Sequence, residues 1–177
     1  FNDSVRNNVL LGDDYDVFEY LRVVCMDKEV EAMEQGADTI IGSEGIRLSG
    51  GQAQRIALAR TLCHKKLVLV LDDPFSALDR NTEEQIYKKL KDMASDNIVI
   101  LISHRLYMFP KMDKVIWMDA GMVNVGTHKE LMLECPGYRK MYETVSVEEC
   151  RAVETENEGL AAAKVVENSR RVVDKHE

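Results

Sequence analysis

No glycine in the 177-residue chain is followed by lysine, so the loop GxxxxGK[ST], which cradles phosphates on backbone N–H groups and a lysine, is absent. Long hydrophobic runs are missing as well. The longest purely aliphatic stretches, Leu67–Leu71 and Ile98–Ile102, hold five residues each, whereas a bilayer-spanning helix needs about 20. There is no basic block, and 31 acidic against 23 basic side chains leave a net charge of −8. That balance argues against a surface built to grip nucleic acid or anionic lipid. The four cysteines, Cys25, Cys63, Cys135 and Cys150, form no CxxC pair and follow no secretory leader, so they are expected to be free thiols in a reducing compartment. No internal repeat or low-complexity segment appears. What remains, with 45% hydrophobic residues, is enough for about one globular domain with a core.

Along the chain, residues 1–43 read as a small helical lobe in which Val17, Phe18, Leu21, Val24 and Cys25 recur every three or four positions on one helix face. Around Leu67 the pattern changes to solid aliphatic strands separated by a helix with Ile86, Leu90 and Met93 on one side. Strands expected to be buried on both faces, alternating with helices, predict a parallel α/β sheet. Residues 115–118 and 122–125, joined by Asp119-Ala120-Gly121, predict a strand pair with a tight turn, after which Thr127 caps a short helix through Leu133. Beyond about Glu143 the composition turns to Glu, Ala, Val, Lys and Arg with weak periodicity, a solvated helix or a disordered end.

Three local patterns carry chemistry. Leu48-Ser49-Gly50-Gly51-Gln52 precedes a run of strong helix formers, so Ser49 can cap the helix with Gln52 as its reciprocal partner, while two glycines expose backbone N–H groups to an anion. An ordinary capped helix with a glycine turn would read the same way. The strand Leu67–Leu71 ends in Asp72-Asp73-Pro74, two carboxylates at the carboxyl edge of a parallel strand, where α/β sheets place their ligands. Such acids suit Mg²⁺ and an attacking water, although Asp-Pro also simply stops strands. The next aliphatic strand ends in Ser103-His104, whose imidazole either hydrogen-bonds a terminal phosphate or serves the structure alone.

Together these residues resemble the carboxy-terminal two-thirds of the nucleotide-binding domain of ABC transporters. Residues 48–52 resemble the signature motif, Leu67–Asp72 the Walker B strand, Asp73 the catalytic-base position, Ser76-Ala77-Leu78-Asp79 the D-loop and His104 the switch histidine. They occur in family order, with Gln54-Arg55 and Ala57-Leu58-Ala59-Arg60 in the signature helix, and the likeness covers about residues 1–135. Residues 1–12 and Ile40-Ile41-Gly42-Ser43-Glu44-Gly45 look most like the exporter branch. The resemblance implies an α/β fold, a partial P-loop NTPase-type parallel sheet flanked by helices with a helical signature subdomain. Residues 1–60 would form that subdomain, 61–135 the ATPase core and 136–177 a helical or disordered tail. It further implies ATP and Mg²⁺ as cofactors, Asp72 on the metal, Asp73 and His104 as catalytic groups, and Ser49, Gly50, Gly51, Gln52 and Asp79 on nucleotide. In the family the signature motif of one subunit closes over ATP held by the other. The implied partners are therefore a second nucleotide-binding domain and transmembrane domains, without nucleic acid, at the cytoplasmic face of the cell membrane. The implied activity is ATP hydrolysis that powers export.

Two departures qualify that expectation. The Walker A loop, the adenine-stacking aromatic and the Q-loop glutamine are absent, so the chain is expected to bind ATP poorly alone and to be a fragment of a longer polypeptide. A regulator without a P-loop is the other explanation. Asp73 stands where the family usually has Glu, and a carboxylate one methylene shorter sits on the order of 1 Å from the ideal place, a displacement able to cost roughly 10²-fold in rate. Competing functions are a non-transport ABC-type ATPase of translation or repair, and a non-catalytic partner that donates residues 48–52 to another subunit's ATP. Strands lacking their neighbours predict a chain that is marginally stable or associates.

Overall fold

The structure, a computed structural model, describes residues 1–93 and 96–145. The greater part of the tail expected from residue 136 onward, and Cys150, lie outside the described residues. Two compact units emerge, Phe1–Ser103 and a second that begins at His104.

The first unit opens with β1 (Asp3–Ser4) and α1 (Val5–Leu10), followed by α2 (Val17–Val23), α3 (Asp27–Glu31), β2 (Ile40–Ile41) and α4 (Gly50–Cys63). Ser4 caps α1 by accepting from the Asn7 N–H, and Asp16 caps α2 by accepting from Phe18. Both α1 and α2 pack on α4. Val5, Val9, Val17, Leu21 and Val24, with Ile56, Ala59 and Leu62 of α4, are buried. The expected face of α2 gains Tyr20, while Phe18 and Cys25 are only half-buried. An antiparallel pair of two-residue strands, β1 with β2, lies in the segment read as a small helical lobe; strands this short have no room for a period-two alternation. Asn8, buried in α1, joins this lobe to α4. Its Nδ2 donates to the Asp3 and Ser4 carbonyls, and its Oδ1 and carbonyl accept from Arg60.

Next come β3 (Val68–Asp72), α5 (Arg80–Met93) and β4 (Ile98–Ile102). The strands pair parallel, Val68 opposite Ile98 through Asp72 opposite Ile102, and α5 provides the crossover that parallel pairing requires. Ile86 and Leu90 lie buried on α5 as its spacing predicts, together with Glu83. The expectation of burial on both faces fails. Leu69 and Leu71 are 4% and 5% exposed, but Val68, Val70, Ile98, Ile100 and Ile102 are 39–59% exposed. In β3 successive side chains alternate between faces, and among the described residues nothing covers the second face.

In the second unit β5 (Val115–Asp119) and β6 (Met122–Gly126) form an antiparallel hairpin. Its turn residues, Ala120 and Gly121, both have positive φ (46° and 81°), the conformation that matches the twist of the two strands. Thr127 and Glu130 form a reciprocal cap on α6 (His128–Glu134), and residues 136–145 are again helical. Val115, Leu131 and the fully buried Tyr138 make the core here, with Phe109 and Trp117 packed against them.

Candidate functional site

The start of α4 is built as its residues dictate. Ser49 adopts an extended conformation, its Oγ accepts from the Gln52 N–H at 3.2 Å, and Gln52 Oε1 accepts from the Ser49 N–H at 2.9 Å. The cap uses an Oγ lone pair and leaves the hydroxyl proton to donate. Gly50 and Gly51 occupy the first turn, where backbone N–H groups lack intrahelical acceptors, and Ser49 and Gly50 are exposed. The remaining half of the Gln52 amide does not face solvent. Its Nε2 donates to Glu29 Oε2 at 2.9 Å, while Arg55 donates to Glu29 Oε1 at 2.7 Å and to the Cys25 carbonyl at 2.8 Å. Partial burial alone would raise the Glu29 carboxyl, but hydrogen bonds from Arg55 and Gln52 outweigh it and hold the group below its usual range. Gln52 thus anchors the signature loop to α3, and Glu29, 23 positions upstream, gave no sign of this in the sequence.

The acids sit at the end of β3. Asp72 is exposed and is the last residue of the strand; Asp73 is half-buried, takes φ +42°, and donates its N–H to the Ile102 carbonyl at 2.8 Å. Asp and Asn populate the left-handed region several-fold more readily than other side chains, which fits the short acid found here. The turn that follows brings the D-loop under α4. Leu78 is buried, and a Cβ on Gly51 would stand 2.9 Å from the Ala77 carbonyl oxygen. Gln54, one turn into α4, hydrogen-bonds the Asp73 carbonyl, Ser76 and Ala77. Sequence reasoning placed Gln54 in the signature helix without giving it a task. Asp79 caps α5: its Oδ1 accepts from the Thr82 N–H at 3.0 Å, and hydrogen bonds from Thr82, side chain first and then backbone, lower its pKa.

The first unit therefore brings Ser49, Gly51, Gln52, Asp73 and Asp79 onto two connected segments, the start of α4 and the turn after β3. His104 belongs to the second unit and is exposed, two residues beyond β4. Among the described residues no group of three or more His, Cys, Asp or Glu is placed to hold a metal ion. A single carboxylate on Asp72 nevertheless suits Mg²⁺, which keeps several waters and takes one or two carboxylates plus phosphate oxygens.

The parallel β3–β4 pair thus ends one strand in two acids, beside a glycine-started helix. Residues 5–76 match a family model described as ABC transporter. The ATP-dependent lipid A-core flippase of Alcanivorax borkumensis is 37% identical over 148 residues, covering 80% of this chain and 25% of that protein. P-glycoprotein 14 of Caenorhabditis elegans is 39% identical over 137 residues, covering 75% of this chain and 10% of that protein. A solved bacterial Atm1-family ABC exporter with ATP bound superposes with a TM-score of 0.75 at 32% identity, covering 82% of this chain and 27% of that one. The chain belongs to the ABC transporter family, among exporter-type nucleotide-binding domains, and spans about a quarter of the length of most curated relatives it matches. No helix among the described residues is long and apolar enough to cross a membrane.

Proposed function

We propose that this chain supplies half of a two-part ATP site in the nucleotide-binding dimer of an exporter. The observation that carries the reading is the capped start of α4, where Ser49 and Gly50 are exposed and the first N–H groups lack intrahelical acceptors, beside the turn that bears Asp73 and Asp79. Ser49 and the glycine N–H groups hold the γ-phosphate of ATP bound to the partner subunit, since charge-bearing phosphate oxygens are the acceptors a helix start favours. Gln52 acts indirectly, by fixing that loop to Glu29.

On ATP held by its own subunit, Asp73 orients and deprotonates the attacking water, and His104 hydrogen-bonds the terminal phosphate. Asp72 is the residue that would hold Mg²⁺, which when bound neutralises phosphate charge. Asp79 keeps α5 capped and faces the partner across the dimer. With no GxxxxGK[ST] loop in its sequence, the isolated chain does not cradle phosphates by itself. Coupled to transmembrane domains at the cytoplasmic face of the membrane, closure of such a dimer on ATP and its reopening after hydrolysis move the exported substrate.

Titrating a fluorescent Mg·ATP analogue into the chain should give no saturable binding, with EDTA as control. Adding the chain to a P-loop-bearing ABC domain with a disabled signature should restore hydrolysis, and the Gly51→Asp chain should not. Absence of rescue would overturn the half-site reading. Micromolar Mg²⁺-dependent binding by the chain alone would overturn its dependence on a partner.

A further inference from the structure

One side chain joins the two segments of the site through three hydrogen bonds. Gln54 Nε2 donates to the Asp73 carbonyl at 3.0 Å and to Ser76 Oγ at 2.8 Å, and Gln54 Oε1 accepts from the Ala77 N–H at 2.9 Å. A carboxamide is suited to this because it offers two donors and an acceptor on one plane. Its orientation is fixed, since the Asp73 carbonyl only accepts and the Ala77 N–H only donates. Asp73 itself has φ +42°, a conformation that persists where the surroundings over-determine it. Three hydrogen bonds restrain it: its N–H donates to the Ile102 carbonyl, and its own carbonyl accepts from the Ser76 N–H at 3.3 Å and from Gln54. Three residues before Gln54, Gly51 lies against the Ala77 carbonyl. The helix start and the turn are thereby tied at both ends of one helical turn.

We propose that Gln54 is a positioning residue for ATP hydrolysis, which locks the turn bearing Asp73 and Asp79 to the helix start bearing Ser49 and Gly51. This rests on the function proposed above, in which Ser49 and Gly51 face ATP held by the partner subunit while Asp73 acts on ATP held by its own. The tie therefore runs between the two sites of the dimer: seating the helix start on one nucleotide sets the position of the base at the other. The Gln54 amide is engaged by Asp73, Ser76 and Ala77, so it acts on turnover rather than on affinity.

The isosteric Gln54→Glu change separates this role from simple packing. Glutamate keeps an acceptor for the Ala77 N–H, loses both donors and sets a carboxylate oxygen against the Asp73 carbonyl. Protonation at lower pH returns one donor to that carbonyl.

In the complete dimeric ATPase that contains this chain, Gln54→Ala should lower kcat roughly 10-fold or more with KM for Mg·ATP held within about two-fold. Gln54→Glu should lose as much at pH 8 and regain part of it at pH 6, relative to the parent at the same pH, a recovery that a merely structural role would not produce. Parent-like kcat in both variants, or a raised KM at constant kcat, overturns the proposal. If the parent dimer hydrolyses no ATP, the functional reading fails on its own account, and amide exchange then decides whether the tie exists. The Ala77 N–H should exchange roughly 10-fold faster in Gln54→Ala with protection of α4 retained, and unchanged Ala77 protection overturns it.

Discussion

Gly51 and Ala77 approach so closely that any Cβ at position 51 would stand 2.9 Å from the Ala77 carbonyl oxygen and 3.3 Å from Leu78 Cδ2. The neighbouring glycine is unconstrained in this way: a Cβ on Gly50 would meet only the Ala77 Cβ at 3.8 Å, an ordinary contact. The two glycines of one motif therefore do different things.

Gly51→Ala is expected to destabilise the first unit by about 1–3 kcal/mol, the range for overpacking against atoms that cannot yield. Gly50→Ala should be neutral or stabilising by up to about 1 kcal/mol, because alanine is the better helix former. Urea midpoints of the two variants measure the contrast, and equal midpoints would show that the turn moves away at little cost.

Asp73, the base in the function proposed above, has a left-handed backbone at φ +42°. Asparagine tolerates that conformation as aspartate does, so Asp73→Asn should leave stability within about 0.5 kcal/mol while abolishing turnover of the complete ATPase. A β-branched side chain fits the conformation badly, and Asp73→Val should cost about 1–2 kcal/mol. Asp73→Glu tests whether the short carboxylate limits the base: a rise in kcat of roughly 10²-fold is expected if reach is the deficit. Unchanged turnover would mean that the backbone at φ +42° already brings the shorter acid into place.

His128 and Tyr138 give the second unit a pH dependence. The hydroxyl of the buried Tyr138 lies 2.7 Å from His128 Nδ1, with burial, and then the nearby Tyr142, pushing the phenol up to about 12. Burial lowers the His128 pKa below its ordinary value near 6.5. The unfolded chain therefore takes up a proton before the folded one does, and stability falls as pH drops from about 6.5 toward the folded value. Urea midpoints at pH 7.5 and 5.5 should diverge in the parent and diverge less in His128→Gln. An identical pH response in the variant would assign it to other groups.

What the sequence disclosed about the site depended on how local each interaction is. The Ser49–Gln52 cap spans three residues, and Thr127–Glu130 the same, so residue identity and spacing were enough. The carboxyl-edge acids followed from an aliphatic run that stops at Asp72. Gln54 and Glu29 stayed silent because their partners lie 19–23 and 23–26 positions away, in a turn and on a helix whose placement only the fold supplies. The run Leu67–Leu71 misled on burial for a related reason. Apolar side chains on both faces state what each face requires, not which elements of this chain cover it.

That uncovered face carries its own consequence. Val68, Val70, Ile98, Ile100 and Ile102 line one side of the β3–β4 pair, and on the hairpin Ile116, Met118, Val123 and Val125 are 53–69% exposed. Contiguous apolar surface on open strands drives association. Sedimentation velocity at tens of micromolar is expected to show concentration-dependent species larger than the monomer. Val70 and Ile100 are register partners, so Val70→Lys with Ile100→Glu places opposite charges side by side on that face. The double variant should sediment closer to monomer with its circular dichroism unchanged. A monomeric parent with one sharp, cooperative melt would contradict the prediction, since it would mean that five exposed aliphatic side chains on adjacent strands neither attract a second copy nor weaken the fold.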